Sequence, residues 1–262
     1  MIRTSRVLLN RGGYESTLTS IAVNPAKFSQ QKQASELRFV FLEGCAAVGK
    51  STVCSRLSKM GFSTRLENFV SLCSKYPQYD PAGSCMSLKW TSGLLKSIEQ
   101  YQEQFARDPS SIRHGLVFFD RSFLTPYVYR RDASSNDRNA HLLDMMKEVT
   151  KIIPSKIVYC HTELDIIKLR LSQRYMVAAV DEERSIRQKL GEVDDAFIVQ
   201  TLARYEELEQ CSWFSIRLNT TDTRQATSML LDNLGIQFTL PFLSMTQPAA
   251  DATPSNLQQT GS

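Results

Sequence analysis

The stretch Phe39-Val-Phe-Leu-Glu43-Gly44-Cys45-Ala46-Ala47-Val48-Gly49-Lys50-Ser51-Thr52 sets two glycines, an amine and a hydroxyl at Gly-x-x-x-x-Gly-Lys-Ser spacing. That spacing suits phosphate. The glycines let the backbone turn tightly and aim N–H groups at an anion, and a helix starting where the loop ends adds its positive pole. Lys50 then reaches the β- and γ-phosphates and the Ser51 hydroxyl meets Mg²⁺, so Gly44 to Thr52 is the expected triphosphate cradle. A second constellation is Asp120-Arg121-Ser122, delivered by the apolar run Gly115-Leu-Val-Phe-Phe119. There Asp120 fits Mg²⁺ and the planar fork of Arg121 fits a phosphate oxygen; the competing reading is a structural Asp–Arg pair. Arg170 and Arg174 share one helix face at i and i+4. They either close over triphosphate oxygens as a lid or remain solvated charges. Glu67 ends the short run Phe62-Ser-Thr-Arg-Leu66, either as a carboxylate on the ligand-binding edge of a sheet or as an ordinary surface acid.

The pattern predicts the elements that hold these groups. Residues 38–43, 62–66, 115–119, 156–160 and 213–218 read as strands. Residues 51–60, 86–106, 142–152, 163–174, 197–210 and 224–234 read as helices, Asp222 capping the last. Residues 68–85, rich in Tyr, Pro and Gly, read as a long loop or broken helix, and 176–194 as a charged, mobile segment. Strands alternating with helices argue for an α/β fold: a five-stranded, mainly parallel sheet with helices on both faces and the loops 44–51, 67–85 and 120–125 on one edge. Asp80-Pro-Ala-Gly83 spells D-x-x-G but follows no apolar strand, and no N-K-x-D occurs, which disfavours a GTPase.

Bulk properties narrow the class. The 262 residues are 42% hydrophobic and 22% charged, an ordinary globular balance. Residues 1–35 hold five basic residues and one acid, so the whole net charge of +4 sits there and the remainder is neutral. A neutral body argues against a nucleic-acid binder, and no apolar run approaches the ~20 residues of a membrane helix. The six cysteines form no C-x-x-C pair and the three histidines lack metal-ligand spacing, so free thiols in a reducing compartment are expected. We divide the chain into a basic N-terminal extension (1–35), a P-loop domain (36–240) and a polar, disordered tail (241–262). Residues 1–35 have the composition either of a mitochondrial transit peptide or of an extension with no address, which leaves a cytoplasmic or mitochondrial location.

Taken in order, Glu43-Gly-Cys-Ala-Ala-Val-Gly-Lys-Ser-Thr52, Glu67, Phe118-Phe-Asp-Arg-Ser122 and Arg170-Leu-Ser-Gln-Arg174 resemble the deoxynucleoside kinases, and the related thymidylate kinases share much of the arrangement. The resemblance spans roughly residues 38–235. It implies a P-loop nucleoside kinase fold with a helical lid, usually dimeric, moving the γ-phosphoryl of ATP with Mg²⁺ to the 5′-hydroxyl of a deoxynucleoside in nucleotide salvage. It makes Glu67 the general base, Arg121 the arginine beside the reacting groups, Asp120 a metal-associated acid, and Arg170 and Arg174 lid arginines. Tyr79 or Tyr76 would read the sugar, and Trp90 stands near the place of the family's base-reading glutamine. Three positions depart: Asn68 replaces the usual proline after the base, Met176 stands where a third lid arginine is usual, and the glutamine has no clear match. A thymidylate-type monophosphate kinase and a nucleotide-binding regulatory protein are the alternative readings.

Overall fold

The apolar residues of the first strand decide the layers. In β1 (Arg38–Glu43), Phe39 and Phe41 face one side of the sheet and Val40 and Leu42 the other, as the alternation of a strand demands. β3 (Leu116–Asp120) does the same, with Val117 and Phe119 on one side and Leu116 and Phe118 on the other. All four phenylalanines are at most 1% exposed, each stabilising the fold by about 1.5–3 kcal/mol through apolar burial. Both faces must therefore be covered.

The computed structural model describes residues 36–66, 69–129, 136–177 and 181–236. The readings of residues 1–35 and of the tail 241–262 lie outside them. After β1 come α1 (Lys50–Lys59), β2 (Ser63–Arg65), α2 (Phe69–Lys75), α3 (Ser84–Arg107) and β3. They are followed by α4 (Thr125–Val128), α5 (Asn136–Ile152), β4 (Ser155–His161), α6 (Leu164–Val177), α7 (Asp181–Leu190), α8 (Asp195–Gln210), β5 (Ile216–Asn219) and α9 (Thr223–Asn233). The sheet order is β2-β3-β1-β4-β5 and every pairing is parallel, so the expected α/β architecture holds without an antiparallel strand. One core joins α1, α6 and α9 to the Val40/Leu42 face; the other joins α3, α5 and α8 to the Phe39/Phe41 face. No described helix is long and apolar enough to cross a membrane.

One segment takes one of the two expected forms and one differs. Residues 68–85, read as a long loop or broken helix, are the broken helix: 69–75 form α2, with Cys73 packed beside Met86 of α3. Residues 181–190, expected as a mobile charged segment, form α7. Ile186 and Leu190 join that small core, and Arg187 is fastened between Glu183 and Glu192. Its few apolar side chains suffice because α2 offers them a partner.

Candidate active site

β1 is the switch point of this sheet, with β3 on one side and β4 on the other, where α/β sheets open a crevice at the carboxyl ends of their strands. The phosphate loop starts there. Gly44 has φ 145°, and a Cβ on it would lie 2.1 Å from the carbonyl oxygen of Cys160 in β4, so no larger residue lets the loop leave the sheet this way. Gly49, at φ 116°, is the N-cap of α1. Within the loop, Gly44, Cys45, Ala46 and Val48 are buried and do not line the cavity, whereas Ala47, Gly49, Lys50, Ser51 and Thr52 line one of about 510 Å³. Lys50 is 4% exposed and donates to the carbonyls of Gly44 and Cys45, each at 2.8 Å. Its amine thus lies along the loop that would carry phosphate.

Asp120 joins the loop through the sheet register, which pairs it with Leu42. Its Oδ2 accepts from Ser51 Oγ at 2.5 Å, while its Oδ1 is buried with no hydrogen-bond partner among the described residues. A buried carboxylate oxygen left open beside a serine hydroxyl is the hard oxygen donor set that Mg²⁺ takes, together with phosphate oxygens and waters. The residues present therefore fit the ion.

Arg121 follows at φ 81°, a conformation that costs an L-residue on the order of 1–3 kcal/mol and persists only where the surroundings enforce it. Its guanidinium lies 4.5 Å from the centre of the Tyr129 ring. Burial drives the Tyr129 phenol well above its ordinary pKa although Arg121 pulls the other way. The phenol therefore stays protonated, and its hydroxyl donates to Gly44 O at 3.4 Å. Glu43, fully buried, accepts from Ser122, Thr125 and Tyr205.

A second cavity of about 610 Å³ lies beside the first, walled by Phe69, Val70, Trp90, Pro126 and Tyr129 on its apolar side and by Glu183, Arg187 and Glu192 on its charged side. Ser51, Arg121 and Arg174 line both cavities, so the two meet at these three side chains. Trp90 turns its indole N–H to Ser122 O at 3.4 Å and sets its ring edge-on to Phe69 at 5.9 Å. Arg187 donates to Glu183 Oε1 at 2.6 and 2.9 Å and to Glu192 Oε2 at 2.8 Å.

The sequence-predicted residues thus divide. Lys50, Ser51, Asp120, Arg121 and Arg174 come together at the junction, and Trp90 lines the second cavity. Arg170 lines the first cavity and also braces the loop, donating to Val48 O at 2.9 Å, Ala47 O at 3.4 Å and Thr221 O at 3.0 Å. Tyr79 stacks on Tyr76 at 5.8 Å in the core under α7 and does not line the second cavity. Glu67 lies outside the described residues. The sequence reading missed Glu43, Tyr129, Glu183, Arg187, Glu192 and Tyr205. For Glu43 a signal existed, an acid closing a run of buried apolar residues. For Glu183 and Arg187 it was the i, i+4 ion-pair spacing.

The AAA domain family model matches residues 39–207, well over half of the chain. The chain belongs to that family, with an all-parallel five-stranded sheet and the glycine loop at the end of its central strand. Among solved structures it is similar to deoxyadenosine kinase from M. mycoides, at 14% identity and a TM-score of 0.49, over 75% of this chain and 98% of that one. It is similar to thymidylate kinase from Candida albicans at 14% identity and a TM-score of 0.45, over 76% and 92% of the two chains. Shikimate kinase from Bacteroides thetaiotaomicron gives 13% identity and a TM-score of 0.44, over 76% and 99%. No curated protein sequence matches the chain.

Proposed function

We propose that this protein is an ATP-dependent kinase that transfers the γ-phosphoryl group to the 5′-hydroxyl of a deoxynucleoside. The observation that carries the reading is the meeting of two cavities at Ser51, Arg121 and Arg174. One has the phosphate loop in its wall, and the other has the size for a small acceptor, with apolar and charged residues both in its lining. In-line transfer needs a triphosphate and a hydroxyl aligned end to end, with cations at the point of transfer. Lys50, Arg121 and Arg174 supply those cations, and burial strengthens the first two. Mg²⁺, held by Ser51 and Asp120, would neutralise charge developing between the β- and γ-phosphates. Glu67, next in sequence after the β2 segment, is assigned the hydroxyl proton. Phe69, Val70 and Trp90 offer the base flat apolar contact, since the indole N–H is already engaged.

Glu183 and Glu192 are paired with Arg187, while Arg121 and Arg174 line the same cavity, so the acceptor panel includes a nucleoside monophosphate beside the nucleosides. The homodimer and the mitochondrial or cytoplasmic location implied at the sequence level remain part of the proposal; light scattering on the eluting protein and imaging of a tagged full chain test them.

The experiment is transfer from radiolabelled ATP with Mg²⁺ to the four deoxynucleosides and to thymidine monophosphate, for the wild type and Glu67→Gln. Transfer to a nucleoside that falls by at least about 10²-fold in the variant supports both acceptor and base. Transfer only to the monophosphate moves the reading to a thymidylate-type kinase. ATP binding without transfer to any acceptor leaves a nucleotide-binding regulatory protein.

A further inference from the structure

The Glu43 carboxylate lines neither cavity. It is fully buried, and four donors converge on it. Oε1 accepts from the Ser122 backbone N–H at 2.7 Å, from Ser122 Oγ at 2.7 Å and from Thr125 Oγ1 at 2.8 Å. Oε2 accepts from the Tyr205 hydroxyl at 2.8 Å. Three of the four donors crowd Oε1 and the fourth takes Oε2, so both carboxylate oxygens are engaged. Ser122 and Tyr205 are fully buried and Thr125 nearly so, which makes these bonds costly to lose.

The geometry around Arg121 shows what the carboxylate does. The N–H of Arg121 donates to Leu42 O at 2.9 Å, and the next N–H along the chain, that of Ser122, donates to Glu43. The peptide groups on both sides of Arg121 are thus tied to consecutive residues of β1. That double tie enforces φ 81° at Arg121 and sets the direction in which its guanidinium leaves the sheet. Glu43 also immediately precedes Gly44, so the phosphate loop and Arg121 share one anchor. From the far side, Tyr205 of α8 holds the same carboxylate and stacks on Tyr159 at 5.5 Å and 19°.

We propose that Glu43 is a positioning residue: it fixes the left-handed turn at Arg121 so that the guanidinium meets the γ-phosphate bound in the adjoining loop. The inference rests on the kinase reading for the role of Arg121. Its test therefore reads nucleotide binding, whose outcome does not depend on whether any acceptor is phosphorylated.

Titration calorimetry of the full chain with Mg²⁺ measures the affinities of ADP and of the non-hydrolysable triphosphate AMP-PNP. Their ratio reports what the γ-phosphate gains. It falls about tenfold in Arg121→Ala, from loss of a charge-assisted contact, and about fivefold in Glu43→Gln, with ADP affinity within about twofold in both. In the double variant the ratio falls no further than in Arg121→Ala, because Glu43 acts through Arg121. Three results overturn the proposal: a ratio untouched in Arg121→Ala, equal losses for ADP and AMP-PNP in Glu43→Gln, and additive losses in the double variant. Should Glu43→Gln not fold, Thr125→Val removes one donor and leaves the carboxylate. A ratio lowered about twofold to threefold then supports the proposal, and an unchanged ratio overturns it.

Discussion

The cavity beside the phosphate loop and the cavity beside Trp90 share three side chains but are built differently. The first has as its largest single share one short stretch, Ala47 to Thr52, faced by α6 and closed by Arg121 and the turn at Thr221. The second collects residues from α2, α3, α4 and α7 together with Glu192, spread between Phe69 and Glu192. A local wall is held by its own backbone and by the sheet beneath it. A gathered wall depends on helix packing, and α7 contributes only Ile186 and Leu190 to a small core. The nucleotide side is therefore the stiff half, and the acceptor side is where packing sets specificity.

Substitutions separate the halves. Lys50→Ala is expected to have the largest effect, lowering transfer by about 10³-fold for every acceptor equally, because it removes charge stabilisation common to them all. A loss that varied with the acceptor would blur the division; steady-state kinetics across the nucleoside panel measures it. Asp120→Asn comes next, with transfer down about 10²-fold and a steeper requirement for Mg²⁺, read from rate against metal concentration. On the other side, Arg187→Met leaves Glu183 and Glu192 unpaired in the cavity wall. Acceptor KM rises about tenfold while the KM for ATP stays within about twofold.

The halves were also unequally legible. The loop announces itself because its function needs a contiguous backbone, so Gly44 to Ser51 carries its chemistry in spacing alone. Asp120 was legible for a related reason: a buried parallel strand ends where its apolar run ends, and the sheet brings that end to the loop. The acceptor wall leaves no such trace. Phe69 and Val70 read as part of a long loop or broken helix because α2 has only seven residues and Pro77 and Pro81 follow closely. Arg170 and Arg174 look alike at i and i+4, yet one braces the loop through three carbonyls and the other is exposed at the junction. Which arginine does which depends on Thr221, some fifty residues away in the chain, and no helical spacing reveals that.

The smallest expected effect concerns thiols. Burial pushes Cys45 up to about 11 and Cys160 up to about 12, the nearby Lys50 only partly opposing it. Both stay protonated and unreactive below those values, whereas Cys85 and Cys211 are exposed. Iodoacetamide at pH 8 is expected to label Cys85 and Cys211 with no loss of ATP binding, as read by peptide mass mapping. Early labelling of Cys45 would mean that the loop opens more readily than the comparison allows.

The central claim is that a triphosphate and an acceptor occupy the two cavities and react where they meet. Initial rates of Arg121→Ala, with ATP and the best nucleoside of the panel both varied, test it most directly. The account predicts a kcat lower by about 10²-fold or more, with the nucleoside KM within about threefold and the ATP KM raised by no more than the roughly tenfold that AMP-PNP loses, since Arg121 belongs to the junction and acts in transfer. A rise confined to the KM of one substrate, with kcat kept, would assign Arg121 to a single cavity and contradict the account.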